Sequence, residues 1–357
     1  MASKAAARAR GAQILAAFRD AGAVEIQPDI LQPAEALLDL YGEDIRARAY
    51  VTADPIRGEQ MLRPDFTVPV VQEHMANGAE PARYCYLGEV FRKQDHRGAA
   101  RVSEYNQVGY EVFDRAAPEA ADAEVFALLA GQLAHLPLTA TIGDLGVLSA
   151  AISGLETLPA RKRALSRHIW RPKRFHGLLM RYSGQAPVPE TRAALLAGAR
   201  SDAPWIGLRS PEEMDARIAR LTEDAAAAPI PAQTVAALEA LLDLRCPAAE
   251  APARLRAVKL DGLDAAIARI ETRLAALEAR GVNLKELTFD ASHGRTTMEY
   301  YDGFVFTLAA EDEDLPPVAS GGRYDALTRV LGQGQAIPAV GGVIRPGLLV
   351  DLEGGTA

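Results

Sequence analysis

The chain has 357 residues, 49% of them apolar, which is enough to bury a full core and long enough for about two domains. A formal charge of −8 and a pI near 5.4 leave no global positive field to gather a phosphate polymer, so nucleic acid is not an expected partner. No run approaches ~20 uninterrupted apolar residues, the start lacks the apolar core of a secretory signal, and Cys85 and Cys246 lack C-x-x-C spacing. The expectation is a cytoplasmic chain with inert thiols, no membrane association, no metal and no cofactor.

In chain order, the opening segment carries Ile14, Leu15 and Phe18 on one helical face, with Gly22 where a helix would stop. Ala23 to Pro28 reads as a short strand ending at a proline, a residue that marks a sheet edge or terminus. Further strands are expected at Arg83 to Val90, Asn106 to Phe113 and Leu138 to Ile142, with a helix opening at Pro118 between the last two. From about Gly146 to Lys285 the texture turns helical. Leu263, Ile267, Ile270, Leu274 and Leu277 recur at spacings of four and three, Arg269, Glu271, Arg273 and Glu278 take the other face, and Gly281 supplies a stop. Strand signals return from Glu286. The expectation is an α+β sheet domain built from 1–145 and 286–357, interrupted by a mainly helical insertion, 146–285.

Templates for metal, nucleophile and phosphate-loop chemistry are absent: there is no H-E-x-x-H, no G-x-S-x-G and no G-x-x-x-x-G-K-[ST]. What remains is a set of polar residues embedded in apolar segments. In Leu62-Arg-Pro-Asp-Phe-Thr67, alternation would set Asp65 and Thr67 on one face, suited to an ammonium group; a side-chain-stabilised turn after Pro64 is the alternative. Two strands joined by a polar, Arg-containing stretch (Arg97 to Arg101) read as a hairpin, with Gln107, Gly109 and Glu111 sharing one face, either lining a ligand site or simply solvated. Adjacent tyrosines Tyr300 and Tyr301 at a strand start would send one ring to the core and one to a pocket, and Gly321-Gly-Arg-Tyr-Asp325 is a glycine turn that adds Tyr324.

Taken together these segments resemble the catalytic domain of the histidyl-tRNA synthetases and their paralogues. Glu25 to Leu31 is similar to class II motif 1, Glu89 to Glu111 to motif 2, Met298 to Phe306 to the histidine-specific Tyr-Tyr-x-Gly element, and Gly321 to Val340 to the stretch leading into motif 3. The likeness covers about Gln13 to Glu124 and Leu287 to Val343. It implies an antiparallel sheet flanked by helices. It also implies that Asp65, Thr67, Gln107, Glu111, Tyr301 and Tyr324 hold the amine and imidazole of histidine, and that Arg92 meets a carboxylate or nucleotide.

The sequence departs from that family where adenylation needs positive charge around phosphate. The arginine expected ahead of the Tyr-Tyr pair is Thr296, with Arg295 beside it; the motif 3 arginine is Leu348, with Arg345 nearby; the glutamate following the motif 2 arginine is Gln94. The chain also ends where the synthetases continue into an anticodon-binding domain. These departures resemble the synthetase-like regulatory chains that pair with short-form ATP phosphoribosyltransferase. That resemblance implies a dimer that joins catalytic subunits in a hetero-octamer, activates them and helps confer inhibition by L-histidine, with no catalytic residue of its own. Two other readings stay open: a truncated ligase in which Arg295 or Arg345 replaces the missing arginines, and a tRNA-binding accessory chain using the basic run Arg161-Lys-Arg163, Arg167, Arg171, Lys173 and Arg174.

Overall fold

A computed structural model describes residues 2–35, 38, 45–94, 102–200, 206–295 and 300–355. Its twelve strands are β1 (Val24–Glu25), β2 (Leu31–Pro33), β3 (Val51–Asp54), β4 (Gly58–Leu62), β5 (Ala82–Phe91), β6 (Glu104–Phe113), β7 (Thr139–Asp144), β8 (Arg245–Pro247), β9 (Thr288–Asp290), β10 (Phe304–Ala309), β11 (Ala319–Arg323) and β12 (Ala339–Ile344), counted among the described residues. Nine form one sheet in the order β1-β5-β6-β12-β11-β10-β7-β9-β8; β2, β4 and β3 form a separate small sheet. The central pairs are antiparallel, while β1 on β5 and β7 on β9 are parallel.

Strand alternation sorts the large sheet into two faces. On one, Cys85, Val108, Tyr110 and Val112 join Phe304 and Phe306 under the Lys4–Asp20 and Pro118–Leu133 helices. The first of these helices is capped by the Ser3 side chain and buries Ala7, Gly11, Ile14, Leu15 and Phe18, a stripe at helical spacing. Each fully buried large apolar side chain stabilises the fold by about 1.5–3 kcal/mol. On the opposite face a second apolar cluster, including Phe66, Val70, Val71, Tyr86, Phe113 and Tyr324, supports the Thr67–Asn77 helix and leaves a cavity over the sheet centre.

The stretch read as helical carries a succession of helices from Leu145–Gly154 to Asp264–Ala279, together with β8, which extends the large sheet from within that stretch. Its apolar side chains belong to the same buried cluster as those of β7 and the Pro118–Leu133 helix. The 264–279 helix lies as its spacing predicts, and Gly281 follows it at φ +82°, a left-handed conformation that glycine adopts without strain.

One residue on that helix corrects the sequence reading. Arg273 is not on the solvated face: only 4% exposed, it donates to Asp122 (2.7 Å) and Asp144 (2.8 Å) and lies over the Phe304 ring. Asp122 also accepts from Arg323, which bonds Asp325 at 3.1 Å. Ion-paired partners on the neighbouring elements let this guanidinium face inward where spacing alone assigns it to water. The basic run divides similarly. Arg161 is buried and held by Asp224 and the Ala228 carbonyl, whereas Arg163, Arg167, Lys173 and Arg174 are exposed. Among the described residues no helix is long and apolar enough to cross a membrane.

Candidate functional site: a polar cavity over the sheet centre

The cavity measures about 210 Å³, below the roughly 300–1,000 Å³ of drug-sized sites. It is lined by Asp65, Thr67, Arg92, Gln107, Glu111 and Tyr301, together with Tyr300, His293, Arg345 and a glycine-rich floor. Six of the seven side chains picked from the sequence therefore meet in one place. Gln107, Gly109 and Glu111 do share a strand face, because β6 is regular from Glu104 to Phe113.

Glu111 is fully buried, 1% exposed. The Tyr86 hydroxyl donates to its Oε1 at 2.8 Å and the Tyr324 hydroxyl to its Oε2 at 2.6 Å. Glycines make this arrangement possible. Gly109 leaves room for the Tyr86 ring to lie across β6, and a Cβ at Gly341, the register partner of Glu111 on β12, would overlap Glu111 Oε2. Burial pushes the Glu111 carboxyl up to about 7, against the opposing pull of the two phenol donors. Burial likewise raises the phenols of Tyr86, Tyr324 and Tyr301, so all three remain hydroxyl donors.

Around this centre the structure revises three local expectations. Asp65 and Thr67 do not lie on an extended strand: β4 ends at Leu62 and Thr67 opens the Thr67–Asn77 helix, which still aims both at the cavity. Both tyrosines of the pair reach the cavity instead of splitting between core and pocket, because β10 begins only at Phe304; their rings pack edge to face at 4.7 Å. Thr67 Oγ1 lies 3.4 Å from the Tyr300 hydroxyl. Tyr324, fully buried, does not line the cavity and acts through Glu111.

Arg92 donates from Nε to the Pro64 carbonyl at 2.7 Å, and one of its terminal nitrogens is 4.0 Å from Asp65 Oδ2. Gln107 Oε1 is buried and makes no hydrogen bond. A buried amide oxygen left in that state is costly unless a ligand or water supplies a donor. His293 and Arg345 were not among the residues picked for the site. His293 accompanies Thr307 (3.2 Å), and burial lowers its imidazole so that the neutral form is favoured. Arg345 lies over the Tyr105 ring at 5.5 Å. Arg295, the other candidate replacement arginine, points elsewhere: it donates to the Ile169 carbonyl and packs on Phe175. Gln94 turns back to the Arg92 and Val102 carbonyls, and Leu348 lies in the Pro346–Gly355 helix. Thr296, Met298, Glu299 and the polar stretch Arg97 to Arg101 fall outside the described residues.

The family model described as histidyl-tRNA synthetase matches residues 2–199 and 214–346. An ATP phosphoribosyltransferase regulatory subunit from Brucella anthropi is 34% identical over 351 residues, covering 91% of this chain and 91% of the relative; one from Brucella canis is 33% identical over 353 residues, covering 90% and 91%. Among solved structures, the Bacillus halodurans ATP phosphoribosyltransferase regulatory subunit/histidyl-tRNA synthetase aligns over 99% of this chain and 81% of its own, with TM-score 0.69 and 22% identity. The histidyl-tRNA synthetase of Nostoc sp. aligns over 99% and 74%, with TM-score 0.66 and 16% identity. At these identities the two structures establish the fold alone.

Proposed function

This chain belongs to the family of ATP phosphoribosyltransferase regulatory subunits, on the class II fold of histidyl-tRNA synthetase, and from that premise we propose that it activates a short-form catalytic subunit and makes it sensitive to L-histidine. The observation that carries the histidine part is the Glu111 site: a buried carboxylate, fixed by two tyrosines, facing a small cavity. Such a group accepts an imidazole N–H with little water competition. Asp65, Thr67 and Gln107 supply acceptors for the ammonium group, Tyr301 faces the ring, and Tyr324 fixes Glu111. Arg92 ties the Pro64 to Asp65 turn over the cavity.

The chain itself is non-catalytic in this reading, because it lacks charges that a phosphate transition state requires. By the resemblance, Thr296 and Leu348 stand where the synthetases carry arginines. Regulation follows from linkage: a ligand that binds one quaternary state better shifts the population toward it, and about 1–3 kcal/mol of coupling suffices. The assembly is a cytoplasmic hetero-octamer built on dimers of this chain, with residues 146–285 as an insertion in the synthetase-like domain. Dimer formation would cover the exposed apolar side chains Val24, Leu31 and Val51, on the sheet edge and the small sheet.

The experiment is reconstitution with the same organism's short-form ATP phosphoribosyltransferase, following phosphoribosyl-ATP formation with and without L-histidine. Activation that histidine suppresses is expected; failure to activate would sink the proposal. A second reading, a synthetase-like ligase, has one observation in its favour, the presence of Arg345 at the cavity. Histidine-dependent ATP–pyrophosphate exchange by the chain alone would establish the ligase.

A further inference from the structure

The cavity has two chemically different ends, set by the alternation of β6 and by the residue that follows β12. Tyr105, Gln107, Gly109 and Glu111 point to one face of β6. On β12, Gly341 stands opposite Glu111, Val343 opposite Gly109 and the last paired residue, Ile344, opposite Val108; Arg345 follows directly and lines the cavity with Gln107. At about 3.4 Å per residue, Glu111 and Gln107 are separated by roughly 13–14 Å along the strand. The result is a slot with a carboxylate at its deep end and an amide beside an arginine at the other.

We propose that Arg345 is the carboxylate-binding residue of this cavity, so that the ligand class is α-amino acids with a free carboxylate, lying along β6 with the side chain at Glu111. The assignment rests on the reading of the cavity as an amino-acid site and goes beyond it by naming a residue and an orientation. Two observations support it. Gln107 Oε1 is a buried acceptor without a hydrogen bond, placed for an ammonium group, and Arg345, directly after the end of β12, lines the same cavity. An acceptor and a cation lining one cavity match the two polar substituents of one α-carbon.

The other cationic or titratable groups at the cavity fit the role less well. Arg92 is turned toward Asp65 and the Pro64 carbonyl, and burial keeps His293 neutral beside Thr307. Arg345 is half-buried and lies over Tyr105, so its guanidinium is held at the outer end of the slot.

The test is calorimetric titration of the full chain with L-histidine and with histamine, which keeps the ring and amine but lacks the carboxylate. Wild type should prefer histidine by at least ~10-fold, the scale of one charge-assisted contact. Arg345→Met should abolish that preference while leaving histamine affinity within about 2-fold, a scale below the loss of any hydrogen-bonded contact. Arg345→Lys should restore part of it, and Arg345→Gln replaces the methionine variant should that one not fold. A preference unchanged in Arg345→Met, or one lost only in Arg92→Met, overturns the assignment and leaves the amino-acid reading standing. Binding of neither ligand by wild type overturns both.

Discussion

The Tyr324 hydroxyl reaches Glu111 Oε2 at 2.6 Å from the residue directly after β11, a strand separated from β6 by the intervening β12. What lets it do so is the glycine at 341, where any Cβ would occupy the position of that oxygen. Gly341→Ala is therefore predicted to displace the carboxylate, costing about 1–3 kcal/mol in urea unfolding and removing detectable histidine binding by calorimetry. Tyr324→Phe, which keeps the ring and removes the donor, should weaken histidine by about 10-fold with a smaller stability loss.

Burial raises Glu111 to about 7 in the folded chain, above its ordinary value of 4.5. The folded state thus binds more protons than the unfolded state between those values, and stability must fall as pH rises through this window. The contribution is fully present below about pH 4.5 and lost above about pH 7. Unfolding of the ligand-free protein from pH 5 to 8 should show the decline, on the order of 1–3 kcal/mol. Glu111→Gln should flatten it.

The buried cluster of Arg273, Asp122, Asp144 and Arg323 ties the 264–279 helix to the sheet. Arg273→Met takes the arginine from Asp144, 3% exposed, and leaves Asp122, 0% exposed, with Arg323, and it should cost about 3–5 kcal/mol in urea unfolding. By contrast, Arg254→Ala breaks an exposed pair within one helix turn and should cost less than about 1 kcal/mol.

Arg295 supplies a control that separates regulator from ligase. It packs on Phe175 and bonds the Ile169 carbonyl, away from the cavity lining. Arg295→Met should leave histidine affinity within about 2-fold, less than the loss of any hydrogen-bonded contact would produce; a larger loss measured by calorimetry would restore it as a ligand contact.

Much of this site is legible in the sequence because β6 is a regular strand. Alternation alone puts Gln107, Gly109 and Glu111 on one face, and the Tyr-Tyr and Gly-Gly-Arg-Tyr-Asp segments carry the resemblance that gathers the rest. What periodicity misses has physical causes. Arg273 sits on the expected solvent face of its helix, but acids from the Pro118–Leu133 helix and β7 draw it inward, and those partners lie far away in sequence. Asp65 and Thr67 share a destination without sharing a strand, because a helix begins between them. His293, three residues past β9, and Arg345, directly after β12, reach the cavity because the sheet gathers strands distant in the chain, a relationship no local pattern expresses.

The most direct test of the account is a histidine titration of phosphoribosyl-ATP formation by the reconstituted complex carrying Glu111→Gln. The account predicts that activation persists while the inhibitory histidine concentration rises by at least ~10-fold, the loss of one charged hydrogen bond. Inhibition at the wild-type concentration, with activation intact, would contradict it by locating the histidine sensor outside this cavity.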